Sequence, residues 1–304
     1  MRIFITGSNG FIGSHTLAQF SGSKHAVAVL LREGGDRRRI AGLLDKVTVV
    51  TGSLAEPSAW EEQCALFAPD AVVHLAWSGV SGDARNDQAQ TVNVHHTVEL
   101  LKVAERAGAR HFIGLGSQAE YGPCSHRIDE HQPARPTTLY GVSKFCAGTL
   151  SAALCAQQHV RFAWLRLFSC YGPGDNPSWL IPSLVHNLQL GRRPALTRCE
   201  QLWDYIYVDD VAEAIARVTL SGKTEGVFNL GSGIATPLFR IVEMIRDLAS
   251  PGAQLGIGEI PYRPDQVMHL EADITRLREA TGWHPRTELA DGLRRTVDFH
   301  LCNP

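Results

Sequence analysis

Tyr140 and Lys144 stand four residues apart in "LYGVSKF", a spacing that brings both side chains to one face of a helix. A tyrosine phenol ordinarily ionises near pH ~10, so it needs a neighbouring positive charge before it exchanges protons readily at neutrality. Lys144 can supply that charge. Ser117, in "IGLGSQAEYG", ends an apolar run and offers a hydroxyl that could steady a reacting oxygen against Tyr140. The three are candidate catalytic residues for general acid–base chemistry. Their spacing alone proves little; their weight comes from lying at the carboxyl end of a central strand, where doubly wound sheets bind ligands. The next two residues, Gln118 and Ala119, cannot move a proton.

A second constellation lies near the first residue. "IFITGSNGFIGSH" sets Gly7, Gly10 and Gly13 between a strand and an amphipathic helix. Glycine allows the tight turn and close backbone approach, and the helix start offers free N–H groups to a pyrophosphate. Asn9, Phe11 and Ile12 belong to the same expected cofactor loop. The second strand ends "VLLREGG", with Leu31 where a ribose-binding acid is expected, Arg32 after it and Arg37, Arg38 and Arg39 beyond. That ending favours NADP over NAD, because guanidinium groups suit a 2′-phosphate. The other reading puts three of these arginines on a solvated helix and lets Glu33 reach the ribose.

The elements that must hold these residues follow from apolar runs alternating with helical patterns. "RIFIT", "AVAVLL", "KVTVV", "AVVHLA", "HFIGLG" and "RFAWLRLF" read as strands apolar on both faces, hence as a parallel sheet covered on both sides. The expected fold is α/β, a doubly wound parallel (Rossmann) sheet in residues 1–171, rejoined by about 204–233. Residues 172–304 form a smaller substrate-binding lobe, with a strand at "GVFNLGSG" and a helix near Leu289 to Leu301. "PCSHRIDEHQPARPTT" reads as an ordered loop.

Composition narrows the class. The chain has 304 residues and a formal charge of −2, without the basic footprint of a nucleic-acid binder. Its seven cysteines are scattered with no C-x-x-C pair, and its thirteen histidines include no H-E-x-x-H. Reduced thiols and no metal are expected. A strand beginning at the second residue leaves no room for a signal peptide, and no run of about 18 apolar residues is seen, so a cytoplasmic protein with no membrane partner is expected.

Nearly the whole chain resembles the extended short-chain dehydrogenase/reductase family, in its NAD(P)-dependent nucleotide-sugar epimerase/dehydratase branch. The matching stretches are "TGSNGFIGSH", "HLAW", "TVNVHHT", "GSQAEYG", "YGVSK", "LRLFSCYGPG", "WDYIYVDDVA", "FNLGSG" and "YRPDQ". The resemblance implies that Ser117, Tyr140 and Lys144 are catalytic and that Lys144 also holds the nicotinamide ribose. It implies that Asn93 supports the active-site helix, that His74, Leu75, Ala76 and Trp77 line the adenosine pocket with Ser53 and Leu54, and that Gln118, Ser169 and Arg263 meet the substrate, Arg263 at the diphosphate of a nucleotide sugar. Two copies are expected to pair through "TVELLKVAERAG" and "YGVSKFCAGTLSAALCAQQ", the second dense in small apolar residues.

Departures from the family pattern bear on the reaction. Ser53 stands where an aspartate is usual, Trp77 replaces an alanine, Ser169 an asparagine, and Trp203 an arginine. In the 4,6-dehydratases of this branch the two positions after the Ser/Thr carry the acid and base that remove water; Gln118 and Ala119 offer neither. Hydride chemistry at one carbon remains, as net reduction of a 4-ketosugar with NADPH or as NAD-dependent 4-epimerisation. The arginine-rich end of the second strand favours the reductase. A nucleotide-sensing regulator on the same scaffold is the alternative from another class, and the intact Ser117, Tyr140 and Lys144 set argues against it.

Overall fold

The structure, a computed structural model, describes residues 1–303 other than Ser23, Pro264 and Asp265. Strands β1 (Arg2–Thr6), β2 (Ala26–Leu31), β3 (Thr48–Thr51), β4 (Ala71–His74), β5 (His111–Ser117) and β6 (Arg161–Leu167) are parallel, and Gly226–Leu230 adds a seventh beside β6. The order is Gly226–Leu230, β6, β5, β4, β1, β2, β3. The chain therefore winds to one side of β1 and then to the other, which opens a crevice beyond the carboxyl ends of β1 and β4. β3 starts two residues later than the run "KVTVV", because a 3-10 helix (Arg38–Lys46) holds Lys46.

Alternating strand residues feed two cores. Ile3 and Ile5 of β1 face α1 (Phe11–Phe20), whereas Phe4 packs on the other face, with α2 (Glu61–Phe67), α3 (Gln90–Arg106) and α4 (Leu139–Gln157). α5 (Leu180–Gln189) departs into the second lobe, and α6 (Val208–Leu220) returns to pack on α1. In that lobe α5, α7 (Leu238–Ala249) and α9 (Leu289–Cys302) enclose a third core around Ile181, Val185, Ile241, Ile245 and Leu293; the short α8 (Thr275–Thr281) buries Leu277. The loop after Tyr121 is tied down by Ile128, whose N–H donates to Glu271 O at 2.8 Å and whose carbonyl accepts from Asp273 N at 2.7 Å.

The glycines of "IGLGS" have a packing cause. Trp164, fully buried on β6, lays its indole across Gly114 and Gly116 of the neighbouring β5, where a Cβ at either position would overlap the ring. Gly148 of α4 covers the same indole, and a Cβ there would sit 2.9 Å from it. Gly141 faces the Ala119 carbonyl. Two of the small residues of α4 thus serve packing within one chain. By length and composition alone α4 is also apolar enough to cross a membrane, a test that the buried core helix of a protein passes as well. The polar residues interrupting its run leave the average hydropathy high, and Tyr140, Ser143 and Lys144 are buried toward the protein.

Candidate functional site

At the end of β1 the chain turns through Gly7 at φ +74°, in the left-handed region that favours glycine. A Cβ at Gly7 would press on the Leu75 and Ala76 backbone, and one at Gly13 would run into the Gly7 carbonyl. α1 starts from Gly10 with no side-chain cap, so its first N–H groups and positive dipole end are left for an anion. These features fit the diphosphate of a dinucleotide. A cavity of about 290 Å³ opens there, lined by Gly7, Asn9 and Gly10 of the loop, Arg32, Ser53 and Leu54 from the neighbouring strand ends, and Leu75, Ala76, Trp77 and Asn93.

Three residues of the expected phosphate loop stand apart from that lining. Phe11 sets its ring edge-on to His15 at 5.8 Å between centroids, Ile12 packs on the core, and Gly13 only makes room for the Gly7 turn. Of the arginines after β2, Arg32 lines the cavity. Arg38 instead pairs with Asp36 at 2.8 Å, and Arg39 donates to Gly174 O at 2.8 Å. Glu33 is exposed and outside the lining. Asn9 donates to Asp36 O at 2.9 Å, which links the phosphate loop to the loop after β2.

Beneath the cavity, His74 is held between hydroxyls: Nδ1 lies 2.7 Å from Thr6 Oγ1 and Nε2 lies 3.0 Å from Thr97 Oγ1. Thr97 gives its own proton to Asn93 O at 2.8 Å, which assigns the ring proton to Nε2 and makes Nδ1 the acceptor. Burial above all, then the charge of Lys144, pushes His74 down to about 3, so it is a neutral strut rather than an acid or base. Asn93 clamps Ser78 at both backbone groups, accepting from its N–H and donating to its carbonyl, each at 3.0 Å.

The three expected catalytic side chains lie together at the next strand end. Thr138 caps α4 by accepting from Gly141 N at 3.1 Å, which orients the first turn and buries Tyr140 and Lys144. Ser117 lies near enough to the Tyr140 hydroxyl to favour its ionised form. Lys144 Nζ donates to Leu115 O at 2.6 Å and lies 3.8 Å from the centroid of the Trp77 ring and 6.0 Å from that of Tyr140. Burial raises the Tyr140 phenol above its ordinary value, against the pull of Ser117 and Arg85, and burial brings Lys144 down to about 7.

Ser117 also caps the 3-10 turn Gln118–Glu120, accepting from Ala119 N at 3.2 Å while Glu120 Oε1 accepts from Ser117 N at 2.9 Å. That carboxylate is directed inward. It accepts from Trp164 Nε1 at 2.9 Å and from Arg166 Nε at 2.8 Å, and both members of the Glu120–Arg166 pair are buried. Removing one partner of a buried pair costs about 3–5 kcal/mol, so Glu120 cannot leave Arg166 to serve as a surface base.

Gln118 is half-buried in that turn. Two departures noted in the sequence prove to touch: Trp203 Nε1 donates to Ser169 Oγ at 2.6 Å. Arg263 is exposed, and its charge is felt by Arg85; Pro264 and Asp265 of "YRPDQ" lie outside the described residues. Sequence reasoning missed Glu120 and Arg85. The guanidinium of Arg85 lies 4.2 Å from the centroid of the Tyr140 ring. Its only signal was membership of "WSGVSGDARN", a loop without a motif. Among the described residues no group of three His, Cys, Asp or Glu is placed to hold a metal ion.

Comparison with known proteins places this geometry in context. A dTDP-glucose 4,6-dehydratase of Streptomyces niveus is 27% identical over 100% of this chain and 94% of its own length. A GDP-6-deoxy-D-mannose reductase of Pseudomonas aeruginosa is 26% identical over 96% and 95%. The crystal structure of Thermus thermophilus UDP-glucose 4-epimerase, in complex with NAD, superposes with a TM-score of 0.87, 26% identity and 99% coverage of both chains. The family model for NAD-dependent epimerases and dehydratases matches residues 3–231, which carry the glycine turn, Ser117, Tyr140 and Lys144, and the chain belongs to the NAD-dependent epimerase/dehydratase family.

Proposed function

We propose that the protein is an NADPH-dependent reductase of a nucleotide-linked 4-keto-6-deoxy sugar. One observation carries the choice of reaction: Ser117, Tyr140 and Lys144 meet beside Gln118 and Ala119, while the nearest acid, Glu120, is turned inward onto Trp164 and Arg166. A site so built exchanges one proton at one oxygen and lacks the second acid–base pair that elimination of water requires. Arg32 at the cavity wall supports NADPH, since it can take a 2′-phosphate.

Bound NADPH would supply the hydride that adds to the C4 carbonyl carbon. Tyr140 gives its proton to the C4 oxygen as the carbonyl π pair moves onto it, and Ser117 holds that oxygen in line. Lys144 offsets the negative charge left on Tyr140 and holds the ribose. Gln118 and Ser169 face the sugar, Arg263 its diphosphate, and residues 172–304 form the substrate lobe. The reading places the enzyme in the cytoplasm as a homodimer paired through α3 and α4, whose exposed Val92, Leu139, Val142 and Leu150 form an apolar outer face. A monomer in sedimentation at micromolar concentration would overturn the pairing.

The deciding assay supplies nucleotide 4-ketosugars with NADPH or NADH and follows cofactor absorbance and sugar product together. Stoichiometric loss of NADPH with a new hydroxyl sugar is the expected result. Tyr140→Phe is expected to slow it by at least about a hundredfold with cofactor affinity nearly intact. The second reading, a 4-epimerase, draws on the similarity to the Thermus enzyme in complex with NAD. Interconversion of two nucleotide hexoses without net cofactor use would establish it instead.

A further inference from the structure

We infer that Arg85 is a positioning residue for proton transfer, a fixed cation stacked on Tyr140 that makes the tyrosinate form easier to reach. This rests on Tyr140 being the proton donor of the proposed reaction. The geometry is direct. The guanidinium carbon of Arg85 lies 4.2 Å from the centroid of the Tyr140 ring, whereas Lys144 Nζ is 6.0 Å from it. Lys144 is moreover committed elsewhere, to the Leu115 carbonyl at 2.6 Å and to the Trp77 ring at 3.8 Å. Burial brings Lys144 down to about 7, so near neutrality it carries only part of a charge. A guanidinium does not lose its proton in that range.

Arg85 is held for this work on one side only. It donates to Val80 O at 3.2 Å from within its own 3-10 segment (Gly82–Asn86), and no carboxylate pairs with it among the described residues. Its charge is therefore not cancelled. Burial and the charge of Arg263 both make that charge costly, and proximity to the phenol offsets part of the cost. Every group facing Tyr140 can be given a sign: Ser117 from β5 and Arg85 favour the tyrosinate, Glu120 from the adjoining turn opposes it, and Lys144 on the same helix favours it to the extent that it is charged. Glu120 is already matched by Arg166 at 2.8 Å, which leaves Arg85 as the least compensated charge beside the ring.

The test removes the charge and keeps the shape. Arg85→Gln retains a planar amide over the ring and an N–H for Val80 O; Arg85→Lys retains the charge without the plane. Both are made in protein containing 3-fluorotyrosine, whose more acidic phenol titrates before alkaline unfolding, and the Tyr140 signal is isolated by subtracting a Tyr140→Phe sample. Loss of a cation at this distance is expected to raise the Tyr140 transition by about one pH unit in Arg85→Gln, with most of the shift restored in Arg85→Lys. The alkaline limb of the rate profile should move up in parallel, and kcat at neutral pH should fall roughly tenfold.

An unchanged Tyr140 titration overturns the inference. If it is accompanied by a large rise in KM for the nucleotide sugar, Arg85 is a contact for a substrate anion instead. Should Arg85→Gln lose its folded circular dichroism, Arg85→Met is read in its place with the same criteria. The titration uses no substrate, so it stands or falls separately from the reaction assigned above.

Discussion

At the turn between β1 and α1 the chain passes so close to the Leu75 and Ala76 backbone that Gly7 and Gly13 have no room for a side chain. At the ends of β5 and β6 the opposite holds: side chains are bonded to side chains, Trp164 and Arg166 to Glu120, Trp203 to Ser169, Arg85 to the face of Tyr140. In the first region the groups left for an anion are backbone N–H groups, which every sequence possesses, and the sequence contributes only by leaving space. The second region presents functional groups. A few exchanged residues can therefore alter it while its framework stays fixed, and departures from the family pattern at Trp77, Ser169 and Trp203 line or adjoin it.

Arg32 lies where the two regimes meet, since it brings a side chain to the cavity beside the glycine turn. Arg32→Asp removes a phosphate partner and adds repulsion, so affinity for NADPH is expected to fall on the order of a hundredfold while NADH changes by less than about threefold. Fluorescence titration of both cofactors measures this. Equal losses would place the 2′-phosphate elsewhere or show that NAD is the natural cofactor.

The same division explains what could be seen in the sequence. Parallel strands, the glycine turn and the Tyr140–Lys144 face depend on local spacing, and each appears in the structure where its spacing put it, apart from the later start of β3. Gly114, Gly116 and Gly148 gave no such clue, because their cause is one indole, Trp164, from another strand. Glu120 gave no clue either, because its partners Trp164 and Arg166 lie 44 and 46 positions away. Arg85 sat in a loop without a motif. Its position over Tyr140 depends on how Gln90 gathers that loop, donating to Gly79 O at 2.6 Å and to Ala84 O at 2.8 Å. Long-range side-chain partnerships have no period, so a single sequence does not announce them.

The smallest expected effect probes the substrate side alone. Trp203 stands on the short strand Leu202–Trp203, between Thr236–Pro237 and His269–Leu270, and donates to Ser169 Oγ at 2.6 Å. That bond fixes the hydroxyl oxygen of Ser169 and leaves its proton to donate elsewhere, to a sugar oxygen under the proposed function. Trp203→Phe keeps an aromatic ring and removes the donor, so Ser169 can turn away. A neutral hydrogen bond contributes about 1 kcal/mol, and KM for the nucleotide sugar is expected to rise roughly fivefold with kcat and NADPH affinity nearly unchanged. Steady-state kinetics with each substrate varied in turn separates the outcomes. A matching loss in NADPH affinity would show that the two ends of the crevice are coupled through the second lobe, and the distinction drawn between them would fail at this residue.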